Sequence, residues 1–212
     1  MDLSHPLASI MPNAHGPVLT VLARTHEPLS GRRIAELTDG RVSQRRANDI
    51  LRELAVAGVV LCEDRPPSKL YRFNREHVAA PGLLSLIDMW GELLHRIRDE
   101  MTSWEIQPAA ACLFGSAARG EGTTDSDLDM LLVRSAAGEA HADGPHWLAQ
   151  LEQLVSHVRA WSGNECEILE LSIGELDQAM RDDDRIVRDL RRDAIVMAGE
   201  DVRDLMRRGE PS

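Results

Sequence analysis

The chain has 212 residues, enough for two small domains or one large one, with 43% hydrophobic and 28% charged side chains. That balance excludes wholesale disorder, and no apolar run approaches the roughly 18 residues that a membrane span needs. The formal net charge of −11 divides unevenly, with +2 on residues 1–80 and −13 on residues 81–212. An acidic C-terminal part of this kind cannot hold a polyanion by loose charge attraction alone.

Lys69 is the only lysine beside 23 arginines, and it follows no glycine-rich loop. A G-x-x-x-x-G-K-[ST] phosphate loop is therefore excluded, and Schiff-base chemistry is hard to place. The stretch from Met1 to Pro6 lacks the basic and apolar regions of a secretory signal. Cys62, Cys112 and Cys166 lie far apart without metal-ligand spacing, so buried, reduced thiols and a cytoplasmic location are expected.

In chain order, Val18, Leu19, Val21 and Leu22 predict a helix over residues 16–25. A second helix is expected after Ser30, with Ile34, Ala35 and Leu37 inward, ending near Asp39-Gly40. A third runs from Ser43 as N-cap to about Ala57-Gly58, burying Ala47, Ile50, Leu51 and Leu54 at i, i+3, i+4, i+7. Two strand-like stretches, Val59–Cys62 and Lys69–Phe73, follow around a Pro-Pro turn. This order resembles a winged helix-turn-helix domain. The resemblance implies DNA contact by Arg45, Arg46, Asn48 and Arg52 in the major groove, with Arg65, Lys69 and Arg72 on backbone phosphates. Docking of a protein, or pairing with a second copy of the chain, is the competing use of such a module.

Residues 81–106 read as a connector, with Pro81-Gly82 as a break and Leu86, Trp90, Leu93, Ile97, Met101 and Trp104 at helical spacing. The expected organisation is thus a domain over 1–80, a connector helix over 81–106 and a second domain over 107–212.

The chemistry concentrates in residues 109–133. A short apolar run ends at Phe114, Gly115-Ser116 interrupts it, and after ten intervening residues Asp127-Leu128-Asp129 opens a second apolar strand. Gly115 lets backbone approach a ligand closely, Ser116 adds a hydroxyl, and Arg119 can donate charge-assisted hydrogen bonds to phosphate. Strand alternation puts Asp127 and Asp129 on one side, about 6.5–7 Å apart. Two hard carboxylates so placed can hold Mg²⁺.

The run Asp125-x-Asp127-x-Asp129 imitates a calcium loop, but Met130 and Ala136 stand where that loop requires Gly and Glu. A serine-hydrolase elbow fails because Gly115-Ser116 does not fit G-x-S-x-G.

The segment resembles the signature of the polymerase-β-type nucleotidyltransferase superfamily in its minimal bacterial form. Phe114-Gly115-Ser116 and Asp127-Leu128-Asp129-Met130 match each position, and Arg119, Gly120 and Ser126 fit the variant common in small members.

The resemblance implies transfer of a nucleoside monophosphate from a nucleoside triphosphate, ATP being the first expectation, to a protein, RNA or small-molecule acceptor. Asp127 and Asp129 would bind two Mg²⁺ ions, and Gly115, Ser116, Arg119 and Ser126 the nucleotide. It also implies a third carboxylate on a later strand. After a helix from Trp147 to about Trp161, Glu167 fits best, Glu165 is the alternative on the same face, and Glu170 points away. A Glu stands where small members usually carry Asp. The stretch 173–209 reads as helical, with Ile186, Val187, Leu190 and Ile195 inward.

The expected fold is α+β: three helices and a β-hairpin, then a small α/β domain with a mixed sheet. The rival expectation is a DNA-binding regulator whose second domain senses a nucleotide or mediates assembly without transfer. Modification of a cationic small molecule such as an aminoglycoside is a further alternative.

Overall fold

The computed structural model describes residues 1–135 and 144–209; Ala136, used above to exclude a calcium loop, lies outside them. The chain forms two compact units, His5–Trp90 and Met1–Ser4 together with the chain from Gly91 onward.

In the first unit, helices α1 (His15–Ala23), α2 (Gly31–Glu36) and α3 (Gln44–Val56) surround a three-stranded antiparallel sheet. Strand β1 (Leu29–Ser30) pairs with β3 (Ser68–Phe73), which also pairs with β2 (Val60–Arg65). Ser30 and Ser43 cap α2 and α3, their hydroxyls accepting the Arg33 and Arg46 amides. The apolar stripes of the helices meet over Val18, Leu22, Ile34, Ala47, Ile50 and Leu51, closed by Val60, Tyr71 and Phe73 from the sheet. The strand β1 is too short for any sequence signal. The two hairpin strands run further than expected, leaving only Pro66-Pro67 as the turn.

The connector departs from expectation. Pro81 and Gly82 do not break structure; they sit in the first turn of α4 (Ala80–Ile87), where a proline lacks no bonded N–H. One residue, Asp88, separates α4 from α5 (Met89–Thr102). So short an interruption preserves the helical spacing, which is why the two read as one.

The second unit is built on a mixed four-stranded sheet in the order β6-β5-β4-β7. Strands β4 (Ala110–Phe114) and β5 (Leu128–Val133) are antiparallel, and β6 (Cys166–Leu171) lies parallel to β5. Helix α6 (Gly115–Ala118) follows β4, and α7 (Pro145–Ser162) provides the crossover between β5 and β6. Cys112, Leu131 and Val133 pack one face of the sheet against Leu176 of α8 (Ile173–Arg181), Val187 and Leu190 of α9 (Arg185–Asp193) and Met206 of α10 (Val202–Gly209). The alternate residues Leu128, Met130 and Leu132 are equally buried on the opposite face. There Trp147 of α7 donates its indole N–H to Glu170 of β6.

Two expectations are corrected here. Residues 173–209 are not all helical: Ile195–Gly199 form β7, antiparallel to β4. Of the three cysteines, which are free thiols, Cys112 and Cys166 are buried but Cys62 is exposed on β2. No helix among the described residues is long and apolar enough to cross a membrane.

Candidate active site

The site forms where β4, β5 and β6 meet their loops. Strand pairing sets Phe114 opposite Asp129, and Asp129 opposite Glu167 on the parallel strand. The apolar runs that bury these strands thereby fix two carboxylates side by side at one end of the sheet.

Gly115 adopts φ +75°, and a Cβ built there would stand 2.5 Å from Asp129 Oδ2. Both the left-handed backbone and the close carboxylate require glycine. The chain then turns through α6, with the Glu121 amide donating to the Ser116 carbonyl at 2.9 Å. The half-buried Ser116 hydroxyl makes no hydrogen bond among the described residues.

Asp129 is half-buried. Burial raises its carboxyl above the ordinary value of 3.8, and the neighbouring charges of Glu167 and then Asp127 add to this, with Arg119 opposing. Cys166, next to Glu167 in the chain, is pushed up to about 12 by burial first and then by Asp129 and Glu167. The three sequence-predicted carboxylates thus share one electrostatic environment.

The alternatives for the third acid separate. Glu165 forms an ion pair with Arg159 at 2.7 Å, while its backbone carbonyl accepts the Leu128 amide. Glu170 accepts the Trp147 indole N–H at 2.7 Å.

The expected nucleotide-binding residues divide as well. Arg119 is already engaged, donating to Glu121 at 2.7 Å and to Asp193 at 2.6 Å. Asp193, whose side chain is only 3% exposed, also holds Arg192. Bonding to Arg192 and then Arg119 lowers its carboxyl to about 2, against the opposing effect of burial. The Ser126 hydroxyl closes its own loop by accepting the Thr123 amide at 2.9 Å. Sequence reasoning missed Asp193 because it lies 74 residues from Arg119 and had no motif to mark it.

Among the described residues no group of three or more His, Cys, Asp or Glu is arranged to hold a metal ion as the side chains stand. The donor set nevertheless fits a hard divalent cation: Asp127, Asp129 and Glu167 offer only carboxylate oxygens, and burial, then the charges of Glu167 and Asp127, raise Asp129.

In the first unit, Arg45 is exposed on α3 and has no ion-pair partner among the described residues. Arg52 is held by Asp49 at 2.6 Å, and Arg46 lies 3.9 Å from Glu53. Asn48 is half-buried against Gly31, where a Cβ would collide with its side chain, and it borders a shallow hollow with Gln44, Arg45 and Arg52. On the hairpin, Glu63 lies 3.0 Å from Arg65 and 3.9 Å from Arg72, and Lys69 stands opposite Asp64.

No curated protein and no solved structure matches the chain. A family model described as "Nucleotidyltransferase domain" matches residues 94–190, the segment that contains Gly115-Ser116, Asp127, Asp129 and Glu167.

Proposed function

We propose that the second unit transfers a nucleoside monophosphate from a nucleoside triphosphate to an acceptor hydroxyl. The observation that carries this reading is the placement of Asp129 between Glu167 on β6 and Gly115 at the end of β4, within the segment that the family model matches.

Asp127, Asp129 and Glu167 would hold the divalent metal, two magnesium ions being the expected complement, and when bound it would neutralise charge on the triphosphate. Gly115 lets Asp129 lie against the backbone at the end of β4, and the unbonded Ser116 hydroxyl donates to a phosphate oxygen. Ser126 serves indirectly, by shaping the loop that leads to Asp127. Arg119, anchored by Asp193 and Glu121, presents a fixed positive charge rather than a mobile clamp.

The acceptor oxygen attacks the α-phosphorus, the bond to the β-phosphate oxygen breaks, pyrophosphate leaves, and Glu167 takes the acceptor proton. Positioning and charge neutralisation supply most of such catalysis.

We read the first unit as a winged helix-turn-helix module, since its order α1-β1-α2-α3-β2-β3 with a capped, outward α3 suits that arrangement. A second reading makes the whole a DNA-binding regulator that senses a nucleotide. The ion-paired state of Arg119 and the Glu at the third acidic position favour it.

The test is incubation with each labelled nucleoside triphosphate and Mg²⁺ over protein, RNA and small-molecule acceptors. Label is incorporated by the wild type and by neither Asp127→Ala nor Asp129→Ala. Incorporation undiminished in both variants overturns the catalytic reading, and nucleotide binding without any turnover favours the sensor.

A further inference from the structure

Asn164 is 2% exposed, one of three polar residues, with Thr38 and Ser162, that are buried as whole residues among the described residues. It lies between the Gly163 end of α7 and the start of β6, where its sequence context reads only as a Gly-Asn turn. In the structure its amide nitrogen faces the carbonyl oxygens of Ser126 at 2.9 Å, Thr124 at 3.2 Å and Thr123 at 3.3 Å. Its own backbone amide donates to Ser162 Oγ, which in turn donates to the Val158 carbonyl in the last turns of α7. Its side-chain oxygen accepts from the Met1 amino group at 2.6 Å.

Three carbonyls of one loop therefore converge on a single side-chain NH₂. That loop leads directly into Asp127, whose neighbour Leu128 is already tied to the Glu165 carbonyl. A buried donor facing several acceptors is costly to lose, and without it three carbonyls of one loop lose their shared partner. Only an amide serves here: a carboxylate of the same shape has no proton to give at neutral pH.

We infer that Asn164 is a positioning residue that locks residues 123–126 onto the start of β6 and so sets Asp127 beside Asp129 for a divalent cation. The inference rests on the reading of the three carboxylates as a metal-binding group. It assigns Asn164 no contact with substrate; it acts through Asp127.

The test uses the full chain and two variants, Asn164→Asp, which keeps the shape and removes the donor, and Asn164→Ala, which admits water to the carbonyls. Hydrogen exchange is followed on peptides covering residues 122–128, β4 and α7. Mn²⁺ uptake is titrated by electron paramagnetic resonance with a nonhydrolysable nucleotide present. Exchange rises in 122–128 while β4 and α7 stay protected, and Mn²⁺ affinity falls roughly 10–100-fold, as for other groups that orient metal ligands. A merely structural role would lower overall protection without separating this loop from β4 and α7.

Unchanged Mn²⁺ affinity in both folded variants overturns the assignment while leaving the proposed function standing. A wild-type protein that takes up no Mn²⁺ overturns the proposed function and this assignment together.

Discussion

Asp129 and Glu167 occupy facing positions on adjacent parallel strands, and Glu167 is the neighbouring charge that acts most strongly on Asp129. Two ionised carboxylates at paired positions oppose folding, so the site carries an electrostatic cost that a bound cation would remove. The stability of the second unit and its proposed chemistry are therefore in tension at this pair.

The sign of that tension is testable. The folded-state Asp129 carboxyl is raised above 3.8, so its penalty sets in as pH rises from that ordinary value through the folded one, and is complete above it. Glu167→Gln removes the largest charge contribution. In metal-free buffer near neutral pH the variant melts about 1–3 °C higher than wild type, and the gain shrinks on acidification. Calorimetry across pH checks this, and carboxyl NMR titration shows Asp129 moving back toward its ordinary value. Under the proposed function the same variant also loses nucleotidyl transfer.

Gly115→Ala works in the opposite direction. The left-handed backbone costs alanine about 1–2 kcal/mol, and the new methyl meets Asp129 Oδ2. The variant melts several degrees lower and binds Mn²⁺ weakly. Wild-type stability and Mn²⁺ affinity in this variant would show that the close approach is dispensable.

How much of this was legible before the structure depends on the range of the interactions. Ser43 and the stripe Ala47, Ile50, Leu51 announce α3 because a cap and a periodic face are local signals. Asp127 and Asp129 are legible for the same reason, being two residues apart where β5 begins. Strand β7 was hidden because Ile195-Val196 continues the apolar rhythm of α9, and only pairing with β4 marks it as extended. What distinguishes Glu165 from Glu167 is its ion pair with Arg159, a partner on another element that no local pattern announces. Asn164 and Asp193 gave no signal at all, since each acts on a loop far away in the chain.

Asp193 supplies a prediction at acid pH. Its folded-state carboxyl stands at about 2, below the ordinary 3.8, so its pairing with Arg192 and Arg119 stabilises the protein fully above the ordinary value. That contribution is lost as pH falls through about 2. Asp193→Asn flattens the acid limb of the stability curve in this window and leaves Arg119 with Glu121 alone. Urea unfolding at successive pH values measures the difference, and parallel curves for variant and wild type would exclude the pair as a source of acid sensitivity. Under the proposed function the variant also raises the KM for the nucleotide more than it lowers kcat.

The first unit offers the sharpest contrast among similar residues. Seven side chains were expected to touch DNA, yet the structure leaves them unequally available. Among the described residues Arg45 has no ion-pair partner, whereas Arg52 would give up Asp49, and Arg65 and Arg72 would both have to leave Glu63. A phosphate contact made by an unpaired arginine replaces only water and counterions, so its loss should be felt most. If the module binds duplex DNA, Arg45→Ala weakens retardation more than Arg65→Ala or Arg72→Ala does. It also reduces the slope of log affinity against log salt by about 0.9 for the phosphate it neutralised. Glu63→Gln, which frees two arginines at once, strengthens binding and steepens the slope. Retardation that is absent at low ionic strength in the wild type and in Glu63→Gln alike would assign this unit to protein docking instead.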